Sequence, residues 1–262
     1  MSLLEVEGLT KRYAHSDARG GAKALDGVSL SIAAGETLGL VGPSGCGKST
    51  LARVLLRLTE PEAGAIRFEG RDWLALKGGG LRRARGAMQM VFQDPSTAFH
   101  PRATVSGALA EALRLHEIAP RRAWPEQIAV RLAQVGLDPD LAARPLAALS
   151  GGQRQRVAIA RAIAPKPRLI VLDEAVSALD ASVRGKVLEL LARLQREMGL
   201  SYLFIGHDLA VVRAISHRIA VMEAGRIVET GPAEDIAKAP KGALLRRLIA
   251  ASPRLRPWED TP

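Results

Sequence analysis

Short apolar runs, each closed by Gly, Asp or Pro, punctuate the chain: "LLEV" (3–6), "VSLSI" (28–32), "TLGLV" (37–41), "IRF" (66–68), "MQMVF" (88–92), "LIVL" (169–172), "YLFI" (202–205), "IAVM" (219–222) and "RIVE" (226–229). Runs this short and this rich in Val, Ile and Leu predict strands. After positions 47, 150, 181 and 208, Leu, Val and Ala recur at helical spacing instead. Strand and helix thus alternate, which predicts a parallel sheet covered by helices. The early strands, joined by Gly-rich turns, read as antiparallel.

From Gln93 to Leu149 the strand signal vanishes. Stretches rich in Ala, Leu and Arg, broken by Pro120, Pro125, Pro139 and Pro145, predict a small helical insertion. After Pro232 a short helical tail with a mobile, Pro-rich end is expected. A chain of 262 residues with 47% hydrophobic content can bury a large core, as one domain or one domain with an insertion. The N-terminus meets charge within its first five residues, so no secretory leader is expected. No run approaches the roughly 18 apolar residues of a spanning helix. A single cysteine, Cys46, excludes an internal disulfide framework, and the five histidines show no metal-ligand spacing. The net charge of +10 suggests an anionic partner: nucleotide, lipid headgroup or nucleic acid. Nucleic acid is disfavoured, because "LRRARG" (81–86), "PRR" (120–122), "RQR" (154–156) and "LLRR" (244–247) lie in separate segments without interleaved aromatics.

Two motifs carry chemistry. "GPSGCGKST" (42–50) fits G-x-x-x-x-G-K-[ST] and stands between the strand "TLGLV" and a helix, where a phosphate loop must lie. Gly42, Gly45 and Gly47 let the backbone curl its N–H groups toward phosphate, with Pro43, Ser44 and Cys46 completing the loop. The helix start adds partial positive charge. Lys48 would reach the β- and γ-phosphates, Ser49 would ligate Mg²⁺, and Thr50 would serve the α-phosphate side. "LIVLDEAVSALD" (169–180) ends a strand in two acids. Asp173 would orient the Mg²⁺ shell and Glu174 would polarise the attacking water as general base.

A third stretch, "LSGGQRQR" (149–156), offers Ser-Gly-Gly at a helix start, with no strand before it and no lysine after it. Taken together, these motifs resemble those of the ATP-binding cassette (ABC) ATPases, and "LSGGQ" is similar to that family's signature motif. The resemblance covers nearly the whole chain. It implies an α/β P-loop NTPase fold: a RecA-like parallel sheet core with an antiparallel β subdomain, plus an inserted helical subdomain. The implied organisation is an ATPase domain over 1–231 (core 1–93 and 156–231, helical subdomain 94–155) and a tail over 232–262. Two cassettes pack head to tail in this family, so Ser150, Gly151 and Gly152 are expected to hold the γ-phosphate bound on a partner's loop. Ser150 is expected as the N-cap of the following helix and Gln153 as a support for its start. Gln93 resembles the Q-loop glutamine, which touches Mg²⁺ or water and senses the membrane partner. His207 matches the switch histidine, Asp180 the aspartate that links the two sites, and Tyr13 the aromatic that stacks on adenine. The Gly-rich "HSDARGG" (15–21) lengthens the spacing from Tyr13 to Lys48.

Within the family, "FQDPSTAFHPRATV" (92–105) is similar to the importers of oligopeptides, dipeptides and nickel, with His100 where Asn is usual. "DEAVSALD" carries Ala175 and Val176 in place of the common Pro-Thr and is similar to the nickel branch. The tail "APKGALLRRLIAASP" (239–253) lacks the His-Pro-Tyr triplet of peptide-importer ATPases. The resemblance therefore implies an ATP-hydrolysing subunit, using ATP and Mg²⁺, that powers uptake of nickel or a di- or oligopeptide. Implied partners are two membrane permeases, a second ATP-binding subunit (different or identical) and, indirectly, a solute-binding protein outside the membrane. The implied location is the cytoplasmic face of the membrane. The alternative, a soluble ABC ATPase acting on nucleic acid, predicts a long coiled-coil insertion or two cassettes in one chain.

Overall fold

The computed structural model describes residues 2–13, 23–94, 99–100, 102–238 and 240–251. The strands are β1 (Ser2–Arg12), β2 (Lys23–Ala33), β3 (Thr37–Val41), β4 (Ala63–Phe68), β5 (Arg71–Asp72), β6 (Met88–Val91), β7 (Leu169–Asp173), β8 (Ser201–Ile205), β9 (Arg218–Glu223) and β10 (Arg226–Pro232). The helices are α1 (Lys48–Leu55), α2 (Gly78–Ala84), α3 (Val105–Leu115), α4 (Trp124–Gln134), α5 (Gly151–Ile163), α6 (Ala181–Met198), α7 (Leu209–Ile215), α8 (Ala233–Lys238) and α9 (Ala243–Ala251).

Six strands form one sheet in the order β10-β9-β3-β8-β7-β6, parallel throughout except at β10, which pairs antiparallel with β9. Every residue of β3, β7 and β8 is buried, as expected of strands covered on both faces. Alternate side chains feed two cores. Ile170, Leu172, Tyr202 and Phe204 join the helices α3 to α7, whereas Val171, Leu203 and Ile205 join Leu51 and Leu55 of α1 and the apolar side of the second sheet. That second sheet is antiparallel, in the order β2-β1-β4-β5.

The segment after Gln93 is helical as expected, with α3 capped by Thr104, which accepts from the Gly107 N–H at 3.1 Å. Pro125 lies in the first turn of α4, where its missing N–H costs nothing and its fixed φ suits the helix. The Gly-rich segment 15–21, part of 92–105 and the end of the tail beyond 251 lie outside the described residues. Among the described residues no helix is long and apolar enough to cross a membrane.

Candidate functional site

The parallel sheet delivers the candidate residues in register. β6, β7, β8 and β3 are adjacent, and Gln93, the pair Asp173 and Glu174, His207 and the loop 42–47 follow their respective C-terminal ends. Leu40, Asp173 and Ile205 are level with one another across three strands. This is the edge at which open α/β sheets bind ligands.

The phosphate loop is shaped by close backbone approaches. A Cβ on Gly42 would stand 2.1 Å from the Met222 carbonyl oxygen, and one on Gly47, at φ 113°, would stand 2.2 Å from that of Ala24. Neither position admits a side chain. Gly47 is the N-cap of α1 and offers no side chain to the first-turn N–H groups, which therefore remain available to a ligand. Pro43, Ser44 and Gly45 form the exposed rim, and Cys46 is buried beneath it. Lys48 is only 6% exposed, and its Nζ donates to the carbonyls of Gly42 at 2.7 Å and Pro43 at 3.0 Å. No ion pair neutralises it among the described residues. A buried ammonium held by neutral carbonyls is a site for an anion.

Ser49 Oγ donates to Asp173 Oδ1 at 3.3 Å, joining the loop to the end of β7. Burial raises the Asp173 carboxyl above the ordinary carboxylate range, opposed by the Ser49 hydroxyl and reinforced by the Glu174 charge. These hard oxygen donors suit a small divalent cation such as Mg²⁺.

Glu174 has a left-handed backbone, φ 48°, which a non-glycine residue rarely adopts. Its N–H donates to the Ile205 carbonyl at 3.0 Å, and its own carbonyl accepts from Ser177 Oγ at 2.8 Å. The carboxylate is thereby turned to meet two neighbours at one atom. Gln93 Nε2 donates to Oε2 at 3.1 Å, and His207 Nδ1 lies 3.3 Å from the same oxygen. His207 is followed by Asp208, whose Oδ1 caps α7 by accepting from the N–H groups of Ala210 at 3.0 Å and Val211 at 3.4 Å.

Ser150 is the N-cap of α5 in a complete capping box. Its Oγ accepts from the Gln153 N–H at 3.2 Å, and Gln153 Oε1 accepts from the Ser150 N–H at 3.0 Å. Ser150 and Gly151 are exposed. Gly152 has a structural duty absent from the motif reading, because a Cβ there would meet Val183 Cγ1 of α6 at 2.4 Å. Asp180 caps α6, its Oδ1 accepting from the Val183 N–H at 2.9 Å. Tyr13 is half-buried, with Lys11 Nζ 5.8 Å from its ring centroid and its hydroxyl buried without a hydrogen-bond partner among the described residues. Its neighbour Arg12 pairs with Lys23, next to the Ala24 carbonyl that abuts Gly47, so the end of β1 lies on the strand pair that borders the phosphate loop.

Fold and site together define a P-loop nucleotide-binding cassette. A family described as "ABC transporter" matches residues 25–177. The glutathione import ATP-binding protein GsiA of Pectobacterium atrosepticum is 47% identical over 230 residues, covering 88% of this chain and 37% of that protein. The probable peptide ABC transporter ATP-binding protein y4tS of Sinorhizobium fredii is 47% identical over 260 residues, covering 96% of this chain and 73% of that protein. Among solved structures, cbiO1 from Clostridium perfringens, part of the ABC transporter complex cbiONQ, matches with a TM-score of 0.79 at 28% identity over 91% of each chain. A dimeric post-hydrolysis structure of the ATP-binding cassette MJ0796, bound to ADP and Pi, matches with a TM-score of 0.78 at 28% identity over 88% of this chain and 98% of that one. The chain belongs to the ABC transporter family, as an ATPase cassette of the P-loop NTPase fold. It spans only 37% to 42% of the length of its GsiA relatives.

Proposed function

We propose that this chain hydrolyses ATP to drive an importer, and that its site is completed by a second cassette. The observation that carries the reading is the meeting of Gln93 and His207 on Glu174 Oε2, together with the buried Lys48, which is held by carbonyls and has no ion pair among the described residues. In this reading Gly42 to Thr50 hold the triphosphate, with Lys48 on the β- and γ-phosphates. Ser49, Asp173 and Gln93 would hold Mg²⁺, which supplies charge neutralisation at the phosphates when bound. Glu174 takes the proton of the attacking water, while His207 and Gln93 fix its carboxylate. Tyr13 stacks on adenine. Ser150 to Gln153 face the γ-phosphate held by a partner cassette, and Asp180 lies at the contact between the two.

The partners in this reading are two membrane permeases, a second ATP-binding subunit, different or identical, and a solute-binding protein acting through the permeases. The location is the cytoplasmic face of the membrane. Core (1–93, 156–231), helical subdomain (94–155) and tail (232–262) are the working parts, with α5 running through the second boundary and able to carry motion across it. The solute belongs to the peptide class, including glutathione, the class named by both relatives. The nickel expectation drawn from "DEAVSALD" finds no support in those names, and neither does the nucleic-acid alternative.

The test is Glu174→Gln. ATP binding is expected to persist while turnover falls about a hundredfold or more, the scale of losing a positioned base. Undiminished turnover would end the assignment.

A further inference from the structure

The loops around Glu174 are joined by a side chain that belongs to none of the motifs. Arg184 lies in the first turn of α6, four residues after its N-cap Asp180. Its Nη2 donates to the Leu179 carbonyl at 3.0 Å, on the residue just before Asp180. Its Nη1 lies 3.7 Å from Asp208 Oδ2, on the residue just after His207. Asp208 thus divides its carboxylate, one oxygen capping α7 and the other facing Arg184. Arg184 Nε is buried without a partner among the described residues, so the two Nη contacts direct the group. Arg184, Asp208, His207 and Glu174 line one cavity of about 30 Å³, room for a water molecule.

We propose that Arg184 is a positioning residue for hydrolysis: its guanidinium ties the turn carrying Asp180 to the loop carrying His207, so that a second cassette docking at Asp180 sets His207 against Glu174. The inference rests on the paired-cassette reading above. A planar guanidinium that donates to a carbonyl on one side and faces a carboxylate as an ion pair on the other can hold two loops at little entropic cost. The His207 side chain is 58% exposed, so the path of its own backbone decides where its ring stands. A displacement of about 1 Å at such a group can cost up to about a hundredfold in rate.

The experiment measures kcat, KM for ATP and melting temperature for the full chain assembled with its permeases. The variants are Arg184→Met, Arg184→Lys, Asp208→Asn and the Arg184→Met/Asp208→Asn double, with Glu174→Gln as reference. Asn caps helices as well as Asp does, so Asp208→Asn can keep the cap on α7 while replacing the carboxylate that faces Arg184 with a neutral amide. Arg184→Met and Asp208→Asn should each lower kcat about tenfold or more while KM stays within about twofold, and the double variant should be no slower than the slower single, because both break one link. Arg184→Lys should recover part of the rate. Four results would overturn the proposal: full kcat in Arg184→Met, losses that multiply in the double variant, no recovery by lysine, or a fall in melting temperature that accounts for the lost rate. If Glu174→Gln turns over at the wild-type rate, the reading of the site itself has failed. If Glu174→Gln is inactive and Arg184→Met is not impaired, only the role of Arg184 has.

Discussion

Asp173 shows how a single residue can serve a bound state at the expense of the free one. Burial favours its protonated form, so its folded pKa lies above the unfolded value. The folded state then binds the proton more tightly, and stability declines as pH rises through the raised pKa. Asp173→Asn has no charge to desolvate. Without nucleotide it should melt at a higher temperature than wild type above that window and alike below it, while losing turnover. Melting curves against pH check this, and a wild-type curve that gains on the variant as pH rises would refute it. The identities of Lys48, Ser49, Asp173 and Glu174 were legible because each occupies a fixed place in a motif. The convergence of Gln93 and His207 on one oxygen was not, since it arises from the adjacency of β6, β7 and β8, which are far apart in the chain. Asp208 and Arg184 could have been found from an Asp N-cap before "LAVVRAI" and from an Arg four residues after Asp180.

At the scale of elements, the nine apolar runs all became strands: those of the parallel core because a buried parallel strand needs little more than an unbroken run of apolar residues, and β1, β2, β4 and β10 as antiparallel strands bounded by Gly and other turn residues. β5 escaped notice because it has two residues, and α2 because its sequence, "GGGLRRA", opens with three glycines of poor helix propensity. The start of α5 was legible as a capping box, but its seat against α6 was not. Gly152 faces Val183 Cγ1 at a distance no Cβ could share. Gly152→Ala should therefore destabilise the protein by about 1–3 kcal/mol through overpacking, and Val183→Ala in the same chain should restore much of the loss. Denaturant unfolding of both variants reads the difference. A single variant as stable as wild type would remove Gly152 from the packing account and leave it to ligand approach alone.

Across the whole molecule, the charge of +10 has a partly internal explanation. Arg85, Arg131, Arg156 and Arg193 donate to main-chain carbonyls of Arg57, Ala164, Val135 and Gln134 respectively, three of them at helix ends. These four arginines fasten elements to one another, so part of the scattered basic charge serves the fold. The same view sets the phosphate loop and the "LSGGQ" helix apart in duty. The loop joins Asp173 through Ser49, whereas Gly151 and Gly152 lie against α6 and its N-terminal turn, where an added Cβ would meet Leu179 and Val183. In the paired-cassette reading, Ser150 acts on another cassette's nucleotide and Lys48 on its own. Equilibrium binding of ATP to the isolated full chain tests it most directly. Lys48→Ala should weaken binding about tenfold or more, the worth of a charge-assisted contact to phosphate, whereas Ser150→Arg should leave affinity within about twofold of wild type. A Ser150→Arg chain that binds its own ATP as poorly as Lys48→Ala would contradict the account.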